Sequence, residues 1–156
     1  MPPGAPGGAQ EKSDDAVKSL LLDTGPLVAL LDRSDGAHGS CVEALRSVSG
    51  RMLTTEPVVT ESLWLLDHSL AAQKACIALL LAADVKIIGQ TSDTLKRAIV
   101  LMEKYRNVPM DYADATLVVL AENEGVADIF TLDERGFEVY RFNGKHRFSI
   151  MPGRVT

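Results

Sequence analysis

The sequence predicts an α/β fold, a three-layer α/β/α sandwich in which helices cover both faces of a mostly parallel central sheet. Two observations predict it. Short apolar runs of strand length (VKSLLLD, RMLTT, VKIIG, ADIFTLD) alternate with longer segments of helical character. Strands joined through helices pair in parallel and lie buried on both faces. A chain of 156 residues also suffices for one domain with a core of its own.

Residues 1–16 are rich in Pro, Gly and charge, so they are expected to form a flexible tail before a single domain spanning 17–156. VKSLLLD reads as a buried strand, and TGPLVALLDRSD as a tight turn into a short helix with Pro26 in its first turn. AHGSCVEALRSVSG is an amphipathic helix expected to stop at Gly50, and RMLTT is a short strand. EPVVTESLWLLDHSL starts another helix with Pro57 near its beginning, and AAQKACIALLLAAD is a helix running into the strand VKIIG. SDTLKRAIVLMEKYRN reads as a helix with Ser92 as N-cap. MDYADATLVVLAENEG is a strongly apolar helix ended by Gly125, and ADIFTLD is a strand. FEVYRFNGKHRFSIMP has mixed strand and turn character.

Composition narrows the class. An apolar fraction of 46% with 24% charged residues is ordinary for a soluble globular protein. No apolar run approaches the ~18–20 residues that span a bilayer, and the N-terminus lacks the pattern of a signal peptide. A cytoplasmic protein without membrane attachment is the expectation. Cys41 and Cys76 have no CxxC spacing and read as reduced thiols. His38, His68 and His146 form no zinc-binding pattern.

Most acids here have ordinary explanations. Glu43, Asp93, Glu103 and Glu124 fall on solvated faces or helix ends, and Asp14 and Asp15 in the tail. Four do not. Asp114 has Leu117, Val118 and Ala121 on its own helix face. Glu61 has Val58 before it and Trp64 and Leu65 after it. Asp23 and Asp133 close the strands LLLD and IFTLD, and ligand sites of parallel sheets lie beyond the carboxyl ends of strands. Burying one unpaired carboxylate costs several kcal/mol. No Lys or Arg shares the local face of Asp23, Glu61 or Asp114. A hard divalent cation with oxygen ligands is the economical compensation. Taken alone, Asp23 reads more readily as the N-cap of the next helix than as a ligand, and Glu61 could reach water.

Together these segments resemble the PIN domain, specifically the ribonuclease toxins of the VapC type, from about Leu20 to Pro152. LLLDTGPLVALLDRSDGAH is similar to the family's opening motif, TTEPVVTESLWLL to its second, and MDYADATLVVLAENEGVADIFTLDERGF to its third and fourth. The resemblance implies that Asp23, Glu61, Asp114 and Asp133 form the acidic catalytic and metal-binding quartet. It makes Thr24 and Thr131 supporting hydroxyls that orient the acids or water. Asp111, three residues before Asp114, is an extra acid read as a helix cap.

The implied activity is Mg²⁺-dependent hydrolysis of single-stranded RNA, with Mn²⁺ also possible. Asp23 and Asp114 would be direct ligands, while Glu61 and Asp133 complete the shell, hold a second ion or orient water. A homodimer and an antitoxin partner follow from the same resemblance. The net charge of -5 works against phosphate binding unless a cation reverses the local field. The candidates for an RNA path are Arg135, Arg141, Lys145 and Arg147.

Two other classes compete. One is a non-catalytic metal- or RNA-binding module of the same fold. The other is a metal-dependent phosphohydrolase or phospho-receiver. The haloacid-dehalogenase pattern needs a second Asp two residues after the first, where this chain has Gly25, and no convincing candidate stands for the Lys that receivers require after a late strand. No GxSxG and no P-loop is present.

Overall fold

The structure, a computed structural model, describes residues 18–153. The segment expected to be a tail, residues 1–16, lies outside them. Five strands, β1 (Ser19–Leu22), β2 (Arg51–Thr55), β3 (Lys86–Ile88), β4 (Asp128–Phe130) and β5 (Ser149–Met151), form one sheet in the order β3-β2-β1-β4-β5. Every neighbouring pair is parallel. The helices are α1 (Thr24–Leu31), α2 (His38–Ser47), α3 (Glu56–Leu65), α4 (Leu70–Ala82), α5 (Ser92–Lys104), α6 (Tyr112–Glu124) and α7 (Glu134–Val139).

Alternation along the strands builds two cores. Leu20 and Leu22 of β1, Met52 of β2 and Phe130 of β4 pack with Leu27, Cys41, Cys76 and Leu80 from α1, α2 and α4. Leu21, Leu53 and Ile129, one position out of step, pack on the other face with Leu101, Leu117, Val118, Phe137 and Tyr140. The period of two thus sends successive side chains into opposite layers, which is the expected α/β/α sandwich. Helix α6 is buried from Ala113 through Ala121, consistent with its apolar sequence, and ends at Gly125 in the left-handed conformation (φ 66°).

The strand order places the site. From β1 the chain runs outward through β2 to β3, then returns to the other side of β1 for β4 and β5. The direction of winding therefore reverses between β1 and β4. Connections leave that point on opposite faces and open a crevice at the carboxyl ends of the two strands.

Three local expectations are corrected. The N-cap of α5 is Thr91, not Ser92: its hydroxyl accepts from the Thr94 amide, and Thr94 Oγ1 accepts from the Thr91 amide. This reciprocal pairing favours Thr91 over its neighbour. Helix α2 ends at Ser47 rather than at Gly50. Gly50 serves a close approach instead, since a Cβ there would collide with the Lys18 carbonyl. The segment Phe137–Val139, read as strand or turn, lies in α7, because the Asp133 side chain caps a helix by accepting from the Gly136 amide at 3.0 Å. No helix of the described residues is long and apolar enough to cross a membrane. Cys41 and Cys76 are buried and free.

Candidate active site

Each acid is held by an element end. Asp23 directly follows β1, and its amide bonds the Phe130 carbonyl at 3.0 Å, tying β1 to the end of β4. Its Oδ1 accepts from the Thr24 amide at 2.7 Å, which caps α1. Its Oδ2 accepts from the Thr131 hydroxyl at 2.7 Å. The same Thr131 oxygen accepts from the Asp133 amide at 2.9 Å. One hydroxyl therefore joins Asp23 to the loop carrying Asp133, across the point where the winding reverses.

Asp111 and Asp114 form a reciprocal cap at the start of α6. The Asp114 amide donates to Asp111 Oδ1 at 2.8 Å, and the Asp111 amide donates to Asp114 Oδ2 at 3.3 Å. The expected capping role of Asp111 is what the structure shows. Tyr140 completes this corner, donating weakly from its hydroxyl to Asp114 Oδ2 at 3.4 Å. Glu61, on α3, is half-buried. Asp23, Asp111 and Asp133 are thus the N-caps of α1, α6 and α7. Unpaired amides at helix starts favour negative charge, which is why three carboxylates can gather here.

Capping does not offset the crowding. Burial pushes the Asp23 carboxyl up to about 6 despite its bonds from Thr131 and Thr24, and repulsion from Asp111 and Asp133 adds to the rise. Burial, then repulsion by Asp23 and Asp111, pushes Asp114 to about 8. Glu61 is raised to about 7 by burial and then by Asp111 and Asp23. The Tyr140 hydroxyl is also raised, first by burial and next by Asp114. Asp23, Glu61, Asp111, Asp114 and Asp133 therefore share one field. The ion pairs Lys18–Asp128, Arg46–Glu43 and Arg97–Glu122 all stand elsewhere.

The picture of four buried acids needs correction. Asp23 and Asp114 are 5% and 8% exposed, but Glu61 is only half-buried and Asp133 is exposed. The apolar neighbours that argued for burying Glu61 face outward: Trp64 is 69% exposed and Leu65 is exposed too. Asp133 sits on the turn after β4, beyond the sheet that buries Ile129 and Phe130.

As the side chains stand, no three His, Cys, Asp or Glu groups among the described residues are arranged to hold one metal ion. The chemistry of the donors nonetheless suits a hard cation, because they are carboxylates without a basic partner. Thr24 Oγ1 points the same way. It is buried and meets no well-formed hydrogen-bond partner among the described residues, although it lies near enough to Glu61 to lower that carboxyl's pKa.

Sequence reasoning missed Tyr140 and Gly136. A Cβ at Gly136 would collide with Asp133 Oδ2 and approach the Tyr140 hydroxyl to 2.9 Å, so the absent side chain lets these groups meet. The spacing Asp-x-x-Gly after a strand was the available signal for Gly136. Tyr140 carried none, since it reaches Asp114 only through folding. Of the basic candidates, Arg141 is engaged: its guanidinium donates to the carbonyls of Glu138, Val139 and Tyr140 at 2.8–2.9 Å. Arg135, Lys145 and Arg147 are exposed.

Comparison with known proteins agrees with this architecture. Ribonuclease VapC26 of Mycobacterium tuberculosis is 27% identical over 139 residues, covering 85% of this chain and 100% of that protein. The solved structure of Mycobacterium tuberculosis VapC20, described as a Sarcin-Ricin loop cleaving toxin, is similar with a TM-score of 0.69 at 22% identity, over 75% of this chain and 92% of that one. A toxin-antitoxin complex from Klebsiella pneumoniae is similar with a TM-score of 0.58 at 19% identity, over 76% of this chain and 89% of the other. At such identities the two solved structures speak for the fold alone. The PIN domain family matches residues 20–143, a span that contains all five clustered acids and most of the sheet, and the chain belongs to that family.

Proposed function

We propose that this protein is a divalent-metal-dependent endoribonuclease that cleaves single-stranded RNA by hydrolysis and acts as the toxin of a toxin–antitoxin pair. One observation carries the reading: Asp23 and Asp114 are almost wholly buried, neither is ion-paired to a Lys or Arg among the described residues, and repulsion within the group they form with Glu61, Asp111 and Asp133 adds to the rise in their carboxyls. Isolated in a monomeric fold, such repulsion opposes folding; beside a cation it becomes binding energy. Ribonuclease VapC26, matched over its whole length, is named for the same chemistry.

Asp23 and Asp114 would hold the metal, with Glu61 and Asp133 completing the shell. Bound there, Mg²⁺ or Mn²⁺ would neutralise the phosphodiester charge and make a water more acidic. The chain's own groups set the stage for that. Thr131 and the Thr24 amide fix both oxygens of Asp23. The Asp111 amide and the Tyr140 hydroxyl address Asp114 Oδ2. Glu61, half-buried on α3, stands beside the Thr24 hydroxyl. The Thr24 hydroxyl is left available to orient Glu61 or water.

A homodimer, inhibited by an antitoxin that covers the crevice, belongs to the same proposal. Its support is the family membership and the Klebsiella pneumoniae toxin–antitoxin complex of similar fold.

One observation favours a second reading, a module of the same fold that binds RNA or metal without cutting: no three acids converge as the side chains stand. The experiment is cleavage of a mixed-sequence single-stranded RNA by the purified protein with Mg²⁺ and with EDTA, beside Asp114→Asn. The proposal expects cleavage that EDTA and the substitution each abolish, with the variant still folded by circular dichroism. RNA retained on the wild type but never cut supports the second reading. Cleavage indifferent to EDTA overturns the metal requirement.

A further inference from the structure

We infer that the cleft between α3 and the start of α6 is a subsite for one unpaired nucleobase next to the acidic cluster. The inference rests on the nuclease reading and adds to it where a base of the substrate sits. The cleft has a volume of about 610 Å³ and is bordered by Glu61, Trp64, Gln90, Asp111 and Tyr112. Glu61 and Asp111 belong also to the acidic cluster, so cleft and cluster are continuous.

Three features select the occupant. Trp64 is the chain's one tryptophan and is 69% exposed, and Tyr112, also on the wall, is exposed as well. Large aromatic rings left in water beside a reactive site offer faces on which bases stack. The second feature is a buried acceptor. Gln90 is half-buried on this wall, and its Oε1 is buried with no hydrogen-bond partner among the described residues, so a turn of the side chain would bring that oxygen to a donor in the cleft. A buried unpaired carbonyl oxygen is costly unless a ligand supplies a donor, and every base carries an N–H on its Watson–Crick or Hoogsteen edge. Charge is the third. The wall carries Glu56, Glu61 and Asp111 and no Lys or Arg, so it repels a phosphate and accepts a neutral aromatic group. Base in the cleft, backbone toward the acids, is the arrangement consistent with all three.

The lone tryptophan supplies the assay. Its fluorescence is followed while a mixed-sequence RNA octamer is added in Ca²⁺ buffer, and in parallel while an abasic ribose-phosphate octamer is added. The expectation is quenching by the RNA and little by the abasic strand. Trp64→Ala and Gln90→Leu are then tested by anisotropy of a labelled RNA octamer and by cleavage kinetics. Trp64→Ala should weaken RNA binding about tenfold, the order of one lost base–aromatic stack, and raise KM far more than it lowers kcat. Trp64→Phe should recover most of the affinity. Gln90→Leu should weaken binding of base-bearing RNA and leave the abasic strand unaffected.

Outcomes separate the two readings. RNA cleavage by wild type with unchanged KM in Trp64→Ala overturns the subsite and keeps the nuclease. Quenching by RNA without any cleavage keeps the subsite and overturns the nuclease. Equal quenching by RNA and abasic strand, or none by either, overturns the subsite and leaves the Trp64 face to a protein partner.

Discussion

Replacing Asp23 with asparagine removes a charge while keeping the size of the side chain, and the structure sets the sign of the result. The folded carboxyl titrates near 6 against an ordinary value of 3.8, so its ionised form at pH 7 opposes folding by about 3 kcal/mol. Asparagine escapes that penalty. Its Oδ1 can still accept from the Thr24 amide, so the cap of α1 survives. Its amide nitrogen cannot accept from the Thr131 hydroxyl, which loses a bond worth about 1 kcal/mol. The net expectation is a variant stabler by about 2 kcal/mol in EDTA at pH 7, or about 4–8 °C in Tm for a chain of this size. Metal inverts the order. At a hundred times its dissociation constant a cation adds about 2.7 kcal/mol to the wild type and far less to the variant. Thermal melts of both proteins in EDTA and in Mn²⁺ or Mg²⁺ measure all four values. An Asp23→Asn protein that melts below its parent in EDTA would show that the bond from Thr131 outweighs the charge penalty and refute the reasoning. Equal metal-induced shifts in both proteins would place the cation elsewhere.

Three further expectations follow from the same geometry. A carboxyl whose folded pKa is raised favours folding below its unfolded value near 4 and loses that contribution as pH rises through the folded pKa, so with folded values of about 6, 7 and 8 the metal-free protein should melt higher at pH 5 than at pH 8, and Asp114→Asn should flatten this slope. Gly136→Ala drives a Cβ into Asp133 Oδ2 and the Tyr140 hydroxyl; a loss of about 1–3 kcal/mol in urea unfolding, with weakened metal binding by calorimetry, is expected, and a neutral substitution would refute the contact. Tyr140→Phe removes a hydroxyl whose two bonds are long, 3.4 and 3.5 Å, so stability should change by less than about 1 kcal/mol in the same assay; a larger loss would mean those bonds are stronger than their lengths indicate.

Much of the fold was legible because burial on two faces leaves a plain trace. Leu20–Leu22 and Ile129–Phe130 are apolar without alternation, as strands covered on both sides must be, and the run from Ala113 to Ala121 is apolar on every side except at Asp114 and Thr116 because α6 is buried there. Where local competition decided, the reading slipped. Thr91 and Ser92 are equally good caps until Thr94 returns a bond to one of them. Gly50 looked like a helix stop, yet its need for a bare Cα comes from the Lys18 carbonyl on a chain segment remote in sequence.

The sequence by itself marked Asp23 and Asp114 as carboxylates in apolar surroundings, since a charge within an apolar run is visible without coordinates. It also determined the strand ends on which Asp23 and Asp133 sit, and the family resemblance that all four acids carry. Only the tertiary structure decided how each acid is solvated. Trp64 and Leu65 looked like a buried neighbourhood for Glu61, but the packing of α3 turns both outward and puts Trp64 on the wall of a cleft. Only folding joins Asp23 to Thr131, or Asp114 to Tyr140, because those contacts span 108 and 26 positions of chain. Local sequence encodes polarity and period, whereas the repulsion that lifts these carboxyls arises between side chains brought together by the return of β4 to the side of β1.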